Sequence, residues 1–236
     1  MVLLMPHIES PIVNSASEWM SRRIATMGSG RDGVGRMKML DLFSGLGGAS
    51  ESMLRNSWEV QRIEKNPELS LVPNTHIQDI YDLGSWLDEN VEDYPIDIDL
   101  IWASPPCTEF SDGYESPKSK AIRNNENYEP GDAMKMVIET KRIIDLCQPK
   151  YWIIENVRGS IKFLKPILGE PTLIIDSIVL WGRFPIWAMP PGYKHIKEDA
   201  WSTDPMRANI RAKIPYEVSE ACRQSIENTK TLDYWY

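Results

Sequence analysis

Paired cysteines, zinc-ligand spacing, membrane-length apolar runs and a surplus of basic charge are all missing from this 236-residue chain. Its three cysteines, Cys107, Cys147 and Cys222, are an odd number with no CxxC spacing, which argues against a disulfide framework and against zinc. A reduced, cytoplasmic or otherwise intracellular protein without a metal site is expected. The opening MVLLMPHIES has too short an apolar run for a signal peptide, and no stretch approaches the roughly 20 apolar residues of a membrane span. There is no internal repeat. A net charge of -8 argues at first against a nucleic-acid partner. Eight carboxylates, however, crowd into residues 79–99 (Asp79, Asp82, Asp88, Glu89, Glu92, Asp93, Asp97, Asp99) without a Lys or Arg among them. Outside that segment 26 acidic residues stand against 26 basic ones, so the acidity reads as one solvated face that leaves room for a basic surface elsewhere.

What is present is a globular composition, 42% hydrophobic and 25% charged, in which strand-like and helix-like segments alternate. MKMLDLFSGLGG (37–48) reads as a strand running into a glycine turn, with a short helix near 49–56. WEVQRIEKN is a second strand ending at Glu64, THIQDIY (75–81) follows, and IDLIWAS is another strand. Residues 112–129 are polar, lack apolar periodicity and read as a long mobile loop. A helix is expected over 132–148 with Cys147 in the core, a strand over YWIIENV (151–157), one or two more within 172–192, and a terminal helix after Pro215. At the other end, residues 9–27 place apolar side chains at helical spacing, followed by the glycine-rich GSGRDGVG. Alternating strands and helices predict an α/β fold with a doubly wound, mostly parallel sheet of Rossmann-like type. Fold class alone assigns no function.

Three constellations carry chemistry. In DLFSGLGG, Gly45, Gly47 and Gly48 follow a strand, where glycine lets backbone approach a ligand and turn into a helix; a plain tight turn is the other reading. Glu64 lies 19 residues beyond Gly45, at the end of the next strand, where a carboxylate can accept ribose hydroxyls, so the pair suggests an adenosine-containing cofactor. In LIWASPPCTEFSDG (100–113) two prolines stop an apolar strand and hold Cys107 at its end. On position alone that thiol is either a site group or a small apolar filler. IIENVRG puts Glu155 and Asn156 at another strand end, where burial would raise the carboxyl pKa. In a parallel sheet Cys107 and Glu155 project from one rim, the arrangement of a nucleophile and a proton donor facing one pocket.

DLFSGLGG, SPPCTEFS and IIENV, in this order, resemble three signature blocks of the DNA (cytosine-5) methyltransferases, over most of residues 37–160. The resemblance implies the fold of the S-adenosyl-L-methionine-dependent methyltransferases. It also implies transfer of a methyl group from S-adenosyl-L-methionine to carbon 5 of cytosine in DNA through a covalent cysteine adduct. Phe43, Ser44, Gly45, Leu46, Gly47, Glu64 and Lys65 would hold the cofactor, Asp79 and Ile80 would read its adenine, and Ser104 and Pro105 would line the site. Cys107 would add to carbon 6 of the base, oriented by Pro106, with Glu155 at ring nitrogen 3 and Asn156 completing the site. The expected partner is double-stranded DNA with a flipped cytosine, over which residues 108–129 close; Lys118, Lys120 and Arg123 would meet phosphate or solvent there.

The chain departs from the family pattern in three places. The cofactor-packing block usual at the C-terminus is best matched by ESPIVNSASEWMSRRI at the start, so the chain resembles a circular permutation in which residues 9–27 dock beside the glycine turn. Ser10 stands where the block carries asparagine, which leaves a modified S-adenosyl-L-methionine open. Of the arginine-rich block only Arg183 remains, to reach the flipped nucleotide or serve the surface. Residues 193–206 leave little room for a target-recognition region, although RANIRAKIPYEVSEACRQSIE, with Arg207, Arg211 and Pro215, resembles what normally follows one. The expected layout is therefore an N-terminal helix and linker (1–36), a cofactor-binding and catalytic domain (37–192) and a short C-terminal helical segment (193–236). Alternatives are the same chemistry on tRNA, recognition borrowed from a separate specificity subunit, and a cofactor-binding subunit without turnover.

Overall fold

The computed structural model describes residues 35–90, 97–196 and 203–233, with side chains as far as 229. The expected helix over 9–27 and Ser10 lie outside the described residues. Seven strands form one sheet: β1 (Lys38–Leu42), β2 (Glu59–Glu64), β3 (Thr75–Ile77), β4 (Leu100–Ala103), β5 (Tyr151–Val157), β6 (Leu173–Ile175) and β7 (Ile178–Arg183). Their order is β3-β2-β1-β4-β5-β7-β6. β3, β2, β1, β4 and β5 pair in parallel, and β7 runs antiparallel to both β5 and β6. The sheet is mostly parallel, as its apolar strands predict. Every residue of β1 and β4 is buried, the signature of a strand covered on both faces.

Alternation along the strands supplies two helical layers. Met39, Val60 and Trp102 face α1 (Glu51–Arg55) and α7 (Tyr216–Asp233), whose Met53, Val218 and Cys222 complete that core. Leu40, Ile63 and Ile101 face α2 (Ile80–Asn90) and α4 (Gly131–Cys147). Cys147 is core, as its spacing predicts, and burial pushes its thiol up to about 12. A third cluster joins Phe110, Val137, Leu164 and Trp181, tying the loop after β4 to α4, α5 (Ile161–Leu168) and β7.

Four of the described helices escape the periodicity reading. Within the acidic segment, α2 carries Ile80, Leu83, Trp86 and Leu87 on a buried stripe while Asp82, Asp88 and Glu89 stay exposed. The supposed mobile loop 112–129 contains α3 (Pro117–Arg123); Ser116 caps it by accepting the Ser119 amide at 3.2 Å, and Pro117 supplies the first-turn geometry. α5 packs chiefly through Leu164, too short an apolar signal to stand out. The C-terminal residues add α6 (Arg207–Ala212) and α7, and α7 shares the main core.

The chain winds from β1 outward to β3, then crosses to the other side of β1 to form β4. Such a reversal of strand order opens a crevice beyond the C-terminal ends of the two central strands, where α/β sheets bind ligands.

Candidate active site

At the end of β1 the backbone turns sharply: Phe43, Gly45 and Gly47 all take left-handed conformations, with φ of 55°, 53° and 73°. A bulky side chain in that region is strained, and strain of this kind collects at functional sites. The turn is held from both sides. Ser44 N donates to Ile63 O at 3.1 Å, and Ser104 N donates to Leu42 O at 3.1 Å, so the rims of β2 and β4 continue the ladders of β1. Glu64 binds the turn from β2, its carboxylate accepting the amides of Gly45 (2.9 Å), Lys65 (2.8 Å) and Asn66 (2.9 Å). Gln78 N donates to the main-chain Glu64 O at 2.8 Å, so the chain leaves β3 for Asp79 and Ile80 at the end of β2. Asp79 accepts the Tyr81 amide at 3.0 Å and pairs with Lys65 Nζ at 2.5 Å. Partial burial opposes its charge, but Lys65 and the backbone donors outweigh that and hold the carboxyl below its usual range.

A buried polar cluster under the turn was not singled out from sequence. Arg62 of β2 donates to Ser50 Oγ (2.8 Å), Pro73 O (2.7 Å) and Gly47 O (3.0 Å), and Ser50 Oγ donates to Asp41 Oδ2 at 2.5 Å. Gly47 takes a φ of 73°, which favours glycine, and a Cβ there would also meet the hydrogen-bonded Arg62 guanidinium at 2.5 Å. Burial raises the Asp41 carboxyl to about 6 against the Ser50 hydrogen bond and the Arg62 charge. The available signal was an aspartate between two leucines in β1 and an arginine in β2, with nothing in the spacing to pair them.

The second half of the site lies at the ends of β4 and β5. Ala103 pairs with Ile154, so Glu155 lies one residue, and Cys107 four, past those paired positions on the same rim. Asn156, fully buried, donates from Nδ2 to Pro105 O at 3.0 Å and accepts the Val157 amide at 2.9 Å. That bond ties the loop carrying Cys107 to the strand end carrying Glu155; both residues are half-buried, while Pro105 is buried and Pro106 exposed. Ser104 Oγ accepts Trp102 Nε1 at 3.1 Å. The expectation for Lys118 is corrected. Its ammonium meets neither phosphate nor solvent but is buried among protein acceptors.

Arg183 is not brought to this rim. β7 is antiparallel to β5 and pairs Arg183 with Trp152, at the far edge of the sheet, where Arg183 donates to Lys150 O and Pro149 O. Among the described residues, a helix from the C-terminal part of the chain is seated against the glycine turn. Ser219 Oγ of α7 donates to Ala49 O at 2.8 Å and accepts Ser52 N at 3.1 Å, and a Cβ on Gly48 would meet Ile214 O at 2.4 Å.

A strained glycine turn at the switch point of a doubly wound sheet defines a nucleotide-cofactor type of α/β protein. Residues 37–165, more than half of the chain, match the C-5 cytosine-specific DNA methylases, and the chain belongs to that family. A curated relative is the type II methyltransferase M1.BsuMI of Bacillus subtilis (strain 168), 28% identical over 177 residues. That alignment covers 61% of this chain but 38% of the relative, so the chain spans well under two thirds of the relative's length. Among solved structures, a protein encoded within an E. coli prophage is similar at a TM-score of 0.42 and 18% identity, covering 62% of this chain and 45% of the other. A SAM-dependent methyltransferase from Agrobacterium tumefaciens is similar at a TM-score of 0.37 and 14% identity, covering 70% of this chain and 59% of the other. Among the described residues no helix is long and apolar enough to cross a membrane.

Proposed function

We propose that the chain methylates carbon 5 of cytosine in DNA, using S-adenosyl-L-methionine, with Cys107 as nucleophile and Glu155 as its acid partner. The observation that carries this reading is the buried Asn156 to Pro105 hydrogen bond, which locks the Cys107 loop to the Glu155 strand end beside the glycine turn. Membership of the cytosine-specific family supports the choice of base and polymer.

The glycine turn fits the cofactor. A Cβ on Gly45 would meet nothing within 4 Å, so the turn is open on that side, and Ser44 Oγ is buried with no hydrogen-bond partner. Glu64, already ordered by three amides, retains acceptor capacity for ribose hydroxyls. Phe43, Ser44, Gly45, Leu46 and Gly47 line the turn, Asp79 and Ile80 stand by Glu64 for the adenine, and Ser104 and Pro105 close the β4 side. When bound, S-adenosyl-L-methionine supplies an electrophilic methyl group on sulfur.

The protein's own task is to make a weakly nucleophilic carbon reactive. The Cys107 thiolate adds to carbon 6 of the ring while Glu155 donates a proton or hydrogen bond to nitrogen 3, and electron density moves to carbon 5. Once carbon 5 carries the transferred methyl group, loss of its proton to solvent expels the Cys107 thiolate from carbon 6, and nitrogen 3 returns its proton to Glu155, which restores the aromatic ring. Pro106 stiffens the loop so that the thiol is held before it reacts. Reaching carbon 6 requires the base outside the stack. The segment after Cys107 offers a nucleic-acid surface for this, since Tyr114 is exposed and Arg123 lies 3.9 Å from its ring centroid.

Purified protein incubated with duplex DNA and methyl-labelled cofactor should yield 5-methylcytosine by nucleoside mass spectrometry, and Cys107→Ala should abolish it. A wild type that labels no DNA overturns the proposal. Product on tRNA alone, or only after a second subunit is added, moves the substrate or recognition away from duplex DNA read by this chain.

A further inference from the structure

Lys118 combines burial with a position between the two halves of the site. Its Nζ donates to Phe110 O at 3.2 Å, to Asp112 Oδ1 at 2.5 Å and to Gly159 O at 3.2 Å. The first two acceptors lie three and five residues beyond Cys107, and the third lies four residues beyond Glu155. A single buried ammonium therefore bonds both strand-end loops at once. Burying a lysine is costly unless its charge is paired and its donors are satisfied. Here an anion and two carbonyls satisfy them.

The packing around the ammonium is tight on the same side. A Cβ on Gly159 would meet Phe110 O at 2.2 Å, Asp112 Oδ2 at 2.9 Å and Lys118 Nζ at 2.9 Å, so glycine is needed for the loops to approach this closely. Phe110, fully buried, lies 5.9 Å from the ring of Phe163 in α5, and Lys118 Nζ lies 5.9 Å from that same ring. Asn156 makes the inner tie between the loops, at Pro105, and Lys118 makes an outer one.

We propose that Lys118 is a positioning residue: it latches the segment 107–123 onto the turn after β5 and so holds Cys107 at a fixed distance from Glu155. The proposal rests on the reading of Cys107 and Glu155 as the reacting pair. The latch itself is open to measurement without turnover. Cys147 and Cys222 are buried and burial raises both thiols, so a thiol reagent applied to the folded protein reads Cys107.

Two variants test the latch by different physics. Lys118→Met removes the ammonium, and Gly159→Ala pushes the loops apart while leaving it in place. In each, Cys107 should react with Ellman's reagent several-fold faster, and hydrogen exchange should rise across 108–123. kcat should fall by about a hundredfold, the order expected when reacting groups shift by an ångström, with cofactor affinity unchanged. Lys118→Arg, which keeps the charge, should recover part of kcat. Folded variants with wild-type thiol reactivity overturn the latch, whatever happens to kcat. If the wild type makes no 5-methylcytosine while the variants still expose Cys107, the latch stands as a structural device and the methylation reading fails instead.

Discussion

Single side chains at the rim divide into those that would touch substrate and those that hold others in place. On the proposed reading Glu155 belongs to the first group. Glu155→Gln keeps a hydrogen-bonding side chain at that position but cannot give a proton, so methyl transfer should fall sharply while cofactor binding by calorimetry stays at the wild-type value; equal losses in both would place Glu155 in the cofactor site. Asn156 belongs to the second. Asn156→Ala deletes the 3.0 Å bond to Pro105 and leaves a buried carbonyl without its donor, a cost of about 1–3 kcal/mol in stability. The measurable result is a lower urea midpoint together with a lower kcat. Local sequence singled out Cys107, Glu155 and the glycines as candidates, because prolines, glycines and a carboxylate at apolar strand ends are locally unusual, and the family resemblance supplied the roles proposed for them. It could not expose Lys118, whose surroundings in a polar stretch look like those of any solvated lysine.

At the level of elements, the docking of α7 on the glycine turn has its own chemistry. Glu220 is bound by Arg223, Ser52 and Gln224, and these hydrogen bonds hold its carboxyl at about 2. A carboxyl depressed by folding contributes stability that is present above its unfolded pKa and is lost as pH falls toward 2. Glu220→Gln should therefore lower Tm at pH 7 and flatten its decline between pH 4.5 and 2; parallel melting curves for the two proteins would show that the cluster contributes nothing. Gly48→Ala is expected to be costly at any pH, since Ile214 O occupies the space its Cβ needs. An amphipathic pattern announces a helix without saying what it packs against, and the helix expected over 9–27 lies outside the described residues. α7 carries a similar pattern, and its Ser219, bonded to both Ala49 and Ser52, seats it against the turn.

On the scale of the whole molecule, the parallel half of the sheet builds the crevice and the antiparallel pair β6 and β7 closes the far side. That reversal is why Arg183 fails as a site residue: a strand running the other way delivers its C-terminal end to the wrong edge. Beneath the crevice, Asp41 binds its proton more tightly in the folded chain than in the unfolded one. The stability it allows is complete below about pH 4 and is lost as pH rises through about 6. Between those values Asp41→Asn should gain on the wild type in urea denaturation as pH rises, and a constant difference would refute the shift. The sequence by itself determined the strand and helix alternation, the glycine turn and the order of the candidate site residues, because these are written in local apolar runs and in residues with special backbone needs. The reversed direction of β7 and the partner of each buried charge were decided only by the tertiary structure. They depend on which distant segments come within a few ångströms of one another, and neither spacing nor composition records that distance.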